Sequence, residues 1–331
     1  MPKRSVSVVI PNYNGKHLLE RNLVTVIDAL KESACPFEII LVDDHSSDDS
    51  CLYIEQNFPS IKLLRNDINA GFSVACNTGI FAAKNELILL LNTDIQLPLD
   101  FINGQLKYFE HPDTFGVMSK IIGVKGDVQD TARYLTRSGF KIKTNKFFHV
   151  SDDNFWCPTA YLSGANALID ANKLKSIGGF NEILSPFYCE DFELGLRAWR
   201  LGWKCYYQQQ CYCIHDHSST TKNYRSKNWV KAIFFRNRLI VHAIHLNFSE
   251  RNLWLLQIIL TDLAVLWIGL KFYFYKSFGM FVKSREVIKK SRNQLQLLME
   301  KNQSHLTIND IQHEMERMLE GQLVINGRGI K

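Results

Sequence analysis

Phe37-Glu-Ile-Ile-Leu-Val-Asp-Asp-His-Ser-Ser-Asp-Asp-Ser50 joins two signals in fourteen residues. Its apolar run, Ile39 to Val42, does not alternate with polar residues. That is the character of a strand buried on both faces, and sheets covered on both faces are the parallel ones. The run then stops on a carboxylate and enters a Ser/Asp cluster suited to a turn and a helix start, with Ser47 or Asp48 as the capping residue. Ser5-Val-Ser-Val-Val-Ile10, Ile61-Lys-Leu-Leu64 and Leu87-Ile-Leu-Leu-Leu91 read the same way. Helical patterns over residues 16–32, 48–57 and 72–84 separate these runs. Strand–helix–strand repetition at this spacing predicts an α/β fold with a parallel sheet and helices on both faces. Right-handed crossovers then place the strand ends along one edge, where such sheets bind ligands.

Further along, residues 111–160 carry Gly116, Gly123, Gly126 and Gly139 with mixed polarity, and irregular loops with short strands are expected there. Residues 162–170 read as a strand, 190–201 as a helix and 203–214 as a strand region. The 331 residues leave room for one large domain or for a core with an appended module. At 46% hydrophobic and 22% charged, the composition is that of an ordinary globular protein. A formal net charge of +6 favours an anionic partner without choosing among nucleotide phosphate, lipid headgroup and nucleic acid. The eight cysteines are scattered and form no C-x-x-C pair, and Cys211 and Cys213 are too close for a zinc knuckle. They read as reduced thiols packed as small hydrophobes. The apolar run from Val6 to Ile10 is too short for a signal-peptide core, so the expected location is cytoplasmic.

Four polar clusters fall at expected strand ends. Pro11-Asn-Tyr-Asn-Gly15, taken alone, is most simply a turn. In the second cluster, capping explains Ser47 or Asp48 but not Asp43, whose carboxylate could accept the N3–H of a pyrimidine. The third, Leu90-Leu-Asn-Thr-Asp94, ends an apolar strand on a carboxylate. Such a group can hold Mg²⁺ or Mn²⁺, hard cations that share oxygen ligands with phosphates; the alternative is an Asp-initiated turn before Pro98. The fourth, Phe187-Tyr-Cys-Glu-Asp191, opens a helix, where acidic residues are electrostatically at home. Its functional reading is a general base for an acceptor hydroxyl. His215 and His217 flank Asp216, and a metal-ligand role and a structural one weigh about equally there.

Taken in order, these segments resemble a family 2 glycosyltransferase with the GT-A fold, and their order is similar to the rhamnosyltransferase-like branch. The resemblance runs from Val6 to about Arg238. It includes Asn69-Ala-Gly-Phe72 continuing to Asn77-Thr-Gly79, Ser163-Gly-Ala165, Gly178-Gly-Phe-Asn181, Glu190-Asp191 with Arg197, His215, and Arg236-Asn237. It implies that Asp43 contacts the base while Pro11, Tyr13 and Asn14 line the nucleoside pocket. Asn69, Gly71 and Asn77 would shape the donor site, together with Asn92 and Thr93. Asp94 would hold Mg²⁺ or Mn²⁺ through the diphosphate, with His215 as a further ligand. Asp191 would be the base with Glu190 beside it, and Arg197 would face the pyrophosphate or the acceptor. The metal motif departs from the family's Asp-x-Asp. It reads Asn92-Thr-Asp94, so the site has one charge fewer and the cation would be held more weakly.

The implied activity is inverting transfer from a nucleotide-sugar donor, dTDP- or UDP-linked, to a glycan or lipid-linked acceptor in cell-surface polysaccharide synthesis. A non-catalytic nucleotide-sugar-binding protein would be marked by loss of Asp94 or Asp191, and both are present. A nucleotidyltransferase would show a Gly-rich basic loop after the first strand, where Pro-Asn-Tyr-Asn-Gly stands instead. No nucleic-acid motif accompanies the basic stretch after residue 217. The expected division is a catalytic domain over residues 1–240 and a helical extension over 241–331. Within the extension, residues 253–270 are long enough to be weighed as a membrane span, but Asp262 near the middle argues against spanning. With lysines and arginines flanking it, the segment reads as lying on the cytoplasmic membrane surface, or as packed on the catalytic domain or in a homodimer interface.

Overall fold

Val8 and Val9 point to opposite faces of one strand and end in different cores, because successive side chains of a strand alternate sides. The computed structural model describes residues 4–144, 146–216, 226–263 and 272–326. Strand β1 (Val6–Asn12) lies parallel between β2 (Phe37–Asp43) and β4 (Leu87–Leu91), and β3 (Lys62–Arg65) extends the sheet beyond β2. Helix α1 (Lys16–Ser33) covers one face through Leu19, Leu23 and Val26. Helix α3 (Phe72–Ala82) covers the other through Ala75, Cys76 and Ile80. Helix α2 (Ser50–Asn57) links β2 to β3; it begins two residues later than expected, with Asp49 at the cap position.

The second half of the sheet is mixed. Strand β13 (Asn166–Asp170) runs antiparallel to β4 and to β6 (Thr114–Gly123), while β14 (Lys204–His215) runs parallel to β6. With β12 (Cys157–Pro158) at the margin, the order is β12-β14-β6-β13-β4-β1-β2-β3. Strand β6 corrects the irregular reading of residues 111–160: a ten-residue, mostly buried strand stands inside the sheet there. Gly116 interrupts its pattern, but not for a turn. A Cβ there would lie 2.8 Å from the Leu168 carbonyl oxygen, so the glycine admits the neighbouring strand. Short strands surround this half: β5 (Ile95–Gln96), β7 (Val128–Asp130), β8 (Ala132–Arg133), the hairpin β9 (Thr136–Ser138) with β10 (Lys141–Lys143), and β11 (Phe147–Val150) paired with β15 (Val324–Asn326).

Two short helices, α4 (Asn103–Leu106) and α5 (Ala171–Ser176), precede α6 (Glu190–Arg200). Helix α7 (Lys227–His245) crosses the domain boundary expected at residue 240, and its Leu239, Ile240 and Ile244 share a core with Ile88 and Leu90 of β4. The same core takes in Trp254 of α8 (Phe248–Gln257), Phe281 of α9 (Phe272–Lys283), Leu295 of α10 (Arg285–Lys301) and Ile311 of α11 (Ile308–Met318). Apolar burial is therefore continuous from the sheet into the C-terminal helices. All eight cysteines are free thiols, six of them buried.

Helix α8 continues as a π-helical turn over Ile258–Leu263. Gln257 accepts a hydrogen bond from the Phe140 N–H and donates one to the Ser138 carbonyl, Glu250 pairs with Arg137 at 2.8 Å, and Asp262 pairs with Lys141 at 2.5 Å. That last pair accounts for the acidic residue in the apolar stretch: it bolts the segment to the β9–β10 hairpin. Among the described residues no helix is long and apolar enough to cross a membrane, and residues 264–270 of the stretch lie outside them.

Candidate active site

The loops after β1 and β2 meet because Asn12 and Asp43 are register partners at the strand ends. The Asp43 carboxylate accepts from Asn12 Nδ2 at 2.9 Å and from the Ser46 N–H at 3.0 Å, and the residue is 3% exposed. Each of its oxygens accepts one protein hydrogen bond, and together they tie the two loops. Asn14 continues the tie, with Oδ1 accepting from the Ser47 and Asp48 N–H groups at 2.7 and 3.2 Å. Pro11 and Tyr13 are half-buried on the same loop. Neighbouring Asp44, which the sequence reading passed over, accepts from the Ala70 and Gly71 N–H groups at 3.1 and 2.8 Å. It anchors the loop that carries half-buried Asn69.

Asp94 and His215 are 121 residues apart and meet at 3.1 Å, Oδ2 to Nε2. The cause is local: β5, one step past Asp94, pairs antiparallel with the end of β14 and sets Ile95 opposite His215. Gln129 Oε1 lies 2.7 Å from His215 Nδ1 and orients the ring, as the outer partner of a metal-ligating histidine does. Burial pulls the imidazole pKa down, but the Asp94 carboxylate outweighs it and the net shift is upward. The other Asp94 oxygen, Oδ1, is buried with no hydrogen-bond partner among the described residues. One carboxylate with an unused oxygen and one oriented histidine fit a hard divalent cation that takes its remaining ligands from phosphate and water. No group of three His, Cys, Asp or Glu side chains able to hold a metal occurs among the described residues, so any such site is incomplete without those ligands. Asn92 and Thr93 are half-buried beside Asp94, with the Thr93 carbonyl accepting from Asn22 Nδ2 at 2.9 Å. His217 lies outside the described residues.

The segment before α6 is held from both sides. On one side a Cβ at Gly71 (φ +95°) would lie 2.6 Å from Pro186 Cα, and the Phe72 N–H donates to the Pro186 carbonyl at 2.9 Å. Only glycine permits that approach. On the other side Asn237 Nδ2, on α7, donates to the carbonyls of Leu184, Phe187 and Tyr188 at 2.5, 3.0 and 2.8 Å. Tyr188 and Cys189 are thereby kept at φ +76° and +71°, a left-handed turn that delivers Glu190 and Asp191 to the helix start. Burial pushes the Asp191 carboxyl up to about 6, against the opposing pull of Arg133 and the Phe192 N–H. Glu190 is raised well above the usual carboxylate range, first by burial and then by Asp191. Two adjacent carboxyls are thus both raised, first by burial, and strongly shifted groups of this kind cluster at functional sites.

Asp191 faces a cleft of about 490 Å³ that also holds Arg133, Tyr188 and Phe234. Arg133 pairs with Asp130 at 3.0 Å, and Asp130 also accepts from the Tyr161 hydroxyl. Gln129, Asp130 and Arg133 sit in the stretch read as irregular, where no sequence pattern marked them. Arg197 is buried and donates to the Ile177 and Gly179 carbonyls at 2.7 and 2.8 Å and to Glu193 at 2.8 Å, so it holds the turn at residues 177–179. Asn77 is likewise a clamp, donating to the Phe180 carbonyl at 2.9 Å and to Glu182 at 2.8 Å.

An open α/β sheet with acidic strand ends along one edge, and a carboxylate, Asp191, lining a cleft, is the build of a group-transfer enzyme. Residues 7–178 match the family model described as Glycosyl transferase family 2. The chain belongs to that family and is a glycosyltransferase of the GT-A fold. It is 25% identical over 243 residues to the N-acetylglucosaminyl-diphospho-decaprenol L-rhamnosyltransferase of Mycobacterium tuberculosis, covering 65% of this chain and 76% of that one. It is 25% identical over 177 residues to the poly(ribitol-phosphate) beta-N-acetylglucosaminyltransferase TarP of Staphylococcus aureus, 52% of each chain. Among solved structures, GalNAc-T7 with UDP, GalNAc and Mn²⁺ superposes with a TM-score of 0.62 at 15% identity, over 95% of this chain and 57% of that one. S. aureus TarS 1–349 with UDP-GlcNAc gives 0.52 at 16% identity, over 96% and 92%.

Proposed function

We propose that this glycosyltransferase is an inverting enzyme that moves a sugar from a UDP- or dTDP-linked donor to a hydroxyl of a glycan or lipid-linked acceptor, in cell-surface polysaccharide synthesis. The observation that carries it is the pairing, in one structure, of the Asp94–His215 strand-end site with a half-buried carboxylate, Asp191, at the mouth of a cleft. The donor would lie along the strand-end edge, on the loops of Pro11, Tyr13 and Asn14 that Asp43 ties from beneath, with Asn69, Gly71 and Asn77 shaping its far wall through the 185–187 segment. Asp94 and His215 would hold Mg²⁺ or Mn²⁺, which when bound neutralises charge on the departing diphosphate. Asp191 accepts the proton of the acceptor hydroxyl as that oxygen bonds to the anomeric carbon. The bond from that carbon to the phosphate oxygen breaks, and its electron pair leaves with the nucleoside diphosphate. No carboxylate is assigned as a nucleophile, so the displacement is single and configuration inverts, by analogy with glycosidases.

Calorimetric titration of a panel of UDP-, dTDP- and GDP-sugars, with and without Mn²⁺, tests the donor side. One donor class should bind at least about tenfold tighter with Mn²⁺, and Asp94→Ala should erase that difference. A wild-type protein that binds no nucleotide sugar, with or without the cation, would end this reading.

Peripheral membrane contact belongs to the same proposal. Leu256, Ile259 and Leu260 of the α8 segment are 52%, 49% and 61% exposed. They lie on a segment bolted to the hairpin that reaches the cleft, where a lipid-linked acceptor would have to be presented. Replacing all three with serine should weaken partition onto phosphatidylglycerol vesicles by roughly tenfold or more while donor binding is kept. Unchanged partition, or a wild-type protein that forms dimers through this face and ignores vesicles, would refute the contact.

A further inference from the structure

The cleft in front of Asp191 contains more positive charge than its own residues neutralise. Arg133 is matched by Asp130. Lys143 and Arg238 also line the cleft, and among the described residues neither has a carboxylate partner. Arg238 lies over the Phe234 ring, 5.7 Å from its centroid, and Lys143 closes the β9–β10 hairpin. Their nearness is built in. The Ile142 N–H donates to His242 Nε2 at 2.8 Å, and His242 Nδ1 lies 2.6 Å from the Arg238 carbonyl oxygen. One ring joins the residue before Lys143 to the backbone of Arg238. Burial drives the His242 pKa down to about 3, so the ring stays neutral, with Nε2 accepting and Nδ1 donating.

Lys143 and Arg238 are half-buried on the cleft of the proton-accepting carboxylate, and a neutral acceptor would leave both without a counter-charge there. The geometry points to an acceptor that bears a phosphate or diphosphate close to its reacting hydroxyl, its anionic oxygens held by Lys143 and Arg238. This inference rests on the glycosyltransfer reading and adds the acceptor's chemical class. The cations are on the cleft of Asp191, whereas the proposed donor edge is formed by the ends of β1, β2 and β4. We assign them to the acceptor's phosphate; a role on the donor's diphosphate would show instead as lost nucleotide affinity when both are neutralised.

The test uses the full chain saturated with the nucleoside diphosphate that binds best, titrated with farnesyl phosphate, ribitol 5-phosphate and farnesol. Either phosphate ester should bind at least about tenfold tighter than farnesol. Lys143→Gln with Arg238→Gln should abolish that preference and change nucleotide affinity less than about twofold. Arg238→Lys, which keeps the charge, should restore most of it, and matched melting temperatures confirm that the variants fold. Tight farnesyl phosphate with weak ribitol 5-phosphate supports a lipid headgroup, and equal binding supports recognition of the phosphate alone. Farnesol binding as well as farnesyl phosphate would overturn the inference, as would the double variant weakening the nucleotide as much as the phosphate ester. Failure of every nucleotide to bind to wild type would remove the donor reading and this inference with it. A bound nucleotide with no phosphate preference removes this inference alone.

Discussion

Asp191→Asn is expected to lower kcat by about 10²- to 10⁴-fold, the usual contribution of a positioned general base, while donor affinity stays within about twofold. The amide fills the same space but cannot take a proton. Burial of the Asp191 carboxyl sets the pH dependence. The base works ionised, so wild-type kcat/KM should rise with pH through about 6 and level off above it, and the variant should lose that limb. Stability should move the opposite way. A carboxyl whose folded pKa stands above its unfolded value contributes fully below the unfolded value, near 4, and the contribution is lost as pH rises through about 6. The asparagine does not ionise, so the variant should be more stable than wild type at pH 8, by on the order of 2 kcal/mol, and equal to it near pH 4. Thermal melts at the two pH values, with initial rates at both, make the check. Full turnover in the variant would sink the base assignment. Lost turnover with no stability gain at pH 8 would sink the account of a desolvated carboxylate.

That coupling of chemistry to burial explains what could be read from the chain and what could not. Strands β1, β2 and β4 were legible because Val, Ile and Leu run without alternation, and only a doubly covered strand tolerates that pattern. Strand β6 was not, because Gly116 and Lys120 break its run, and the reason for the glycine is a neighbouring strand the sequence does not display. Asp94 and His215 were picked separately, each from its own strand end. Their contact depends on the two-residue pairing of β5 with β14, too short to leave a pattern. Arg197 shows a signal present but unused. Six residues beyond Asp191 on one helix, it points well away from the base, and Glu193 at i−4 is its natural partner. Asp43 shows a signal that serves two purposes. A carboxylate at a strand end can serve a ligand or a neighbouring loop, and the loop contact depends on the register that sets Asn12 opposite it, which the sequence does not display.

Asn237→Leu should be the most damaging change outside the cleft lining, lowering both stability and turnover. The residue is fully buried on α7, and one amide group serves three carbonyls of the segment that turns into α6. Leucine leaves those oxygens without donors. Each buried orphan costs about 1–3 kcal/mol, and shared relaxation keeps the sum below simple addition. A loss of roughly 2–4 kcal/mol, on the order of 5 °C in Tm, is the expected scale. The second effect is specific to position. Tyr188 and Cys189 hold left-handed backbone that non-glycine residues adopt only when the surroundings impose it. Released from Asn237, the turn should relax and withdraw Asp191 from the reacting oxygen. Proton transfer depends steeply on that placement, so kcat should drop by about 10²-fold at temperatures well below the variant's melting point, with donor binding kept. A variant that melts earlier yet turns over normally while folded would make Asn237 a residue of stability alone. One that loses turnover in proportion to its donor affinity would put the damage in the donor edge, and not in the turn that carries the base.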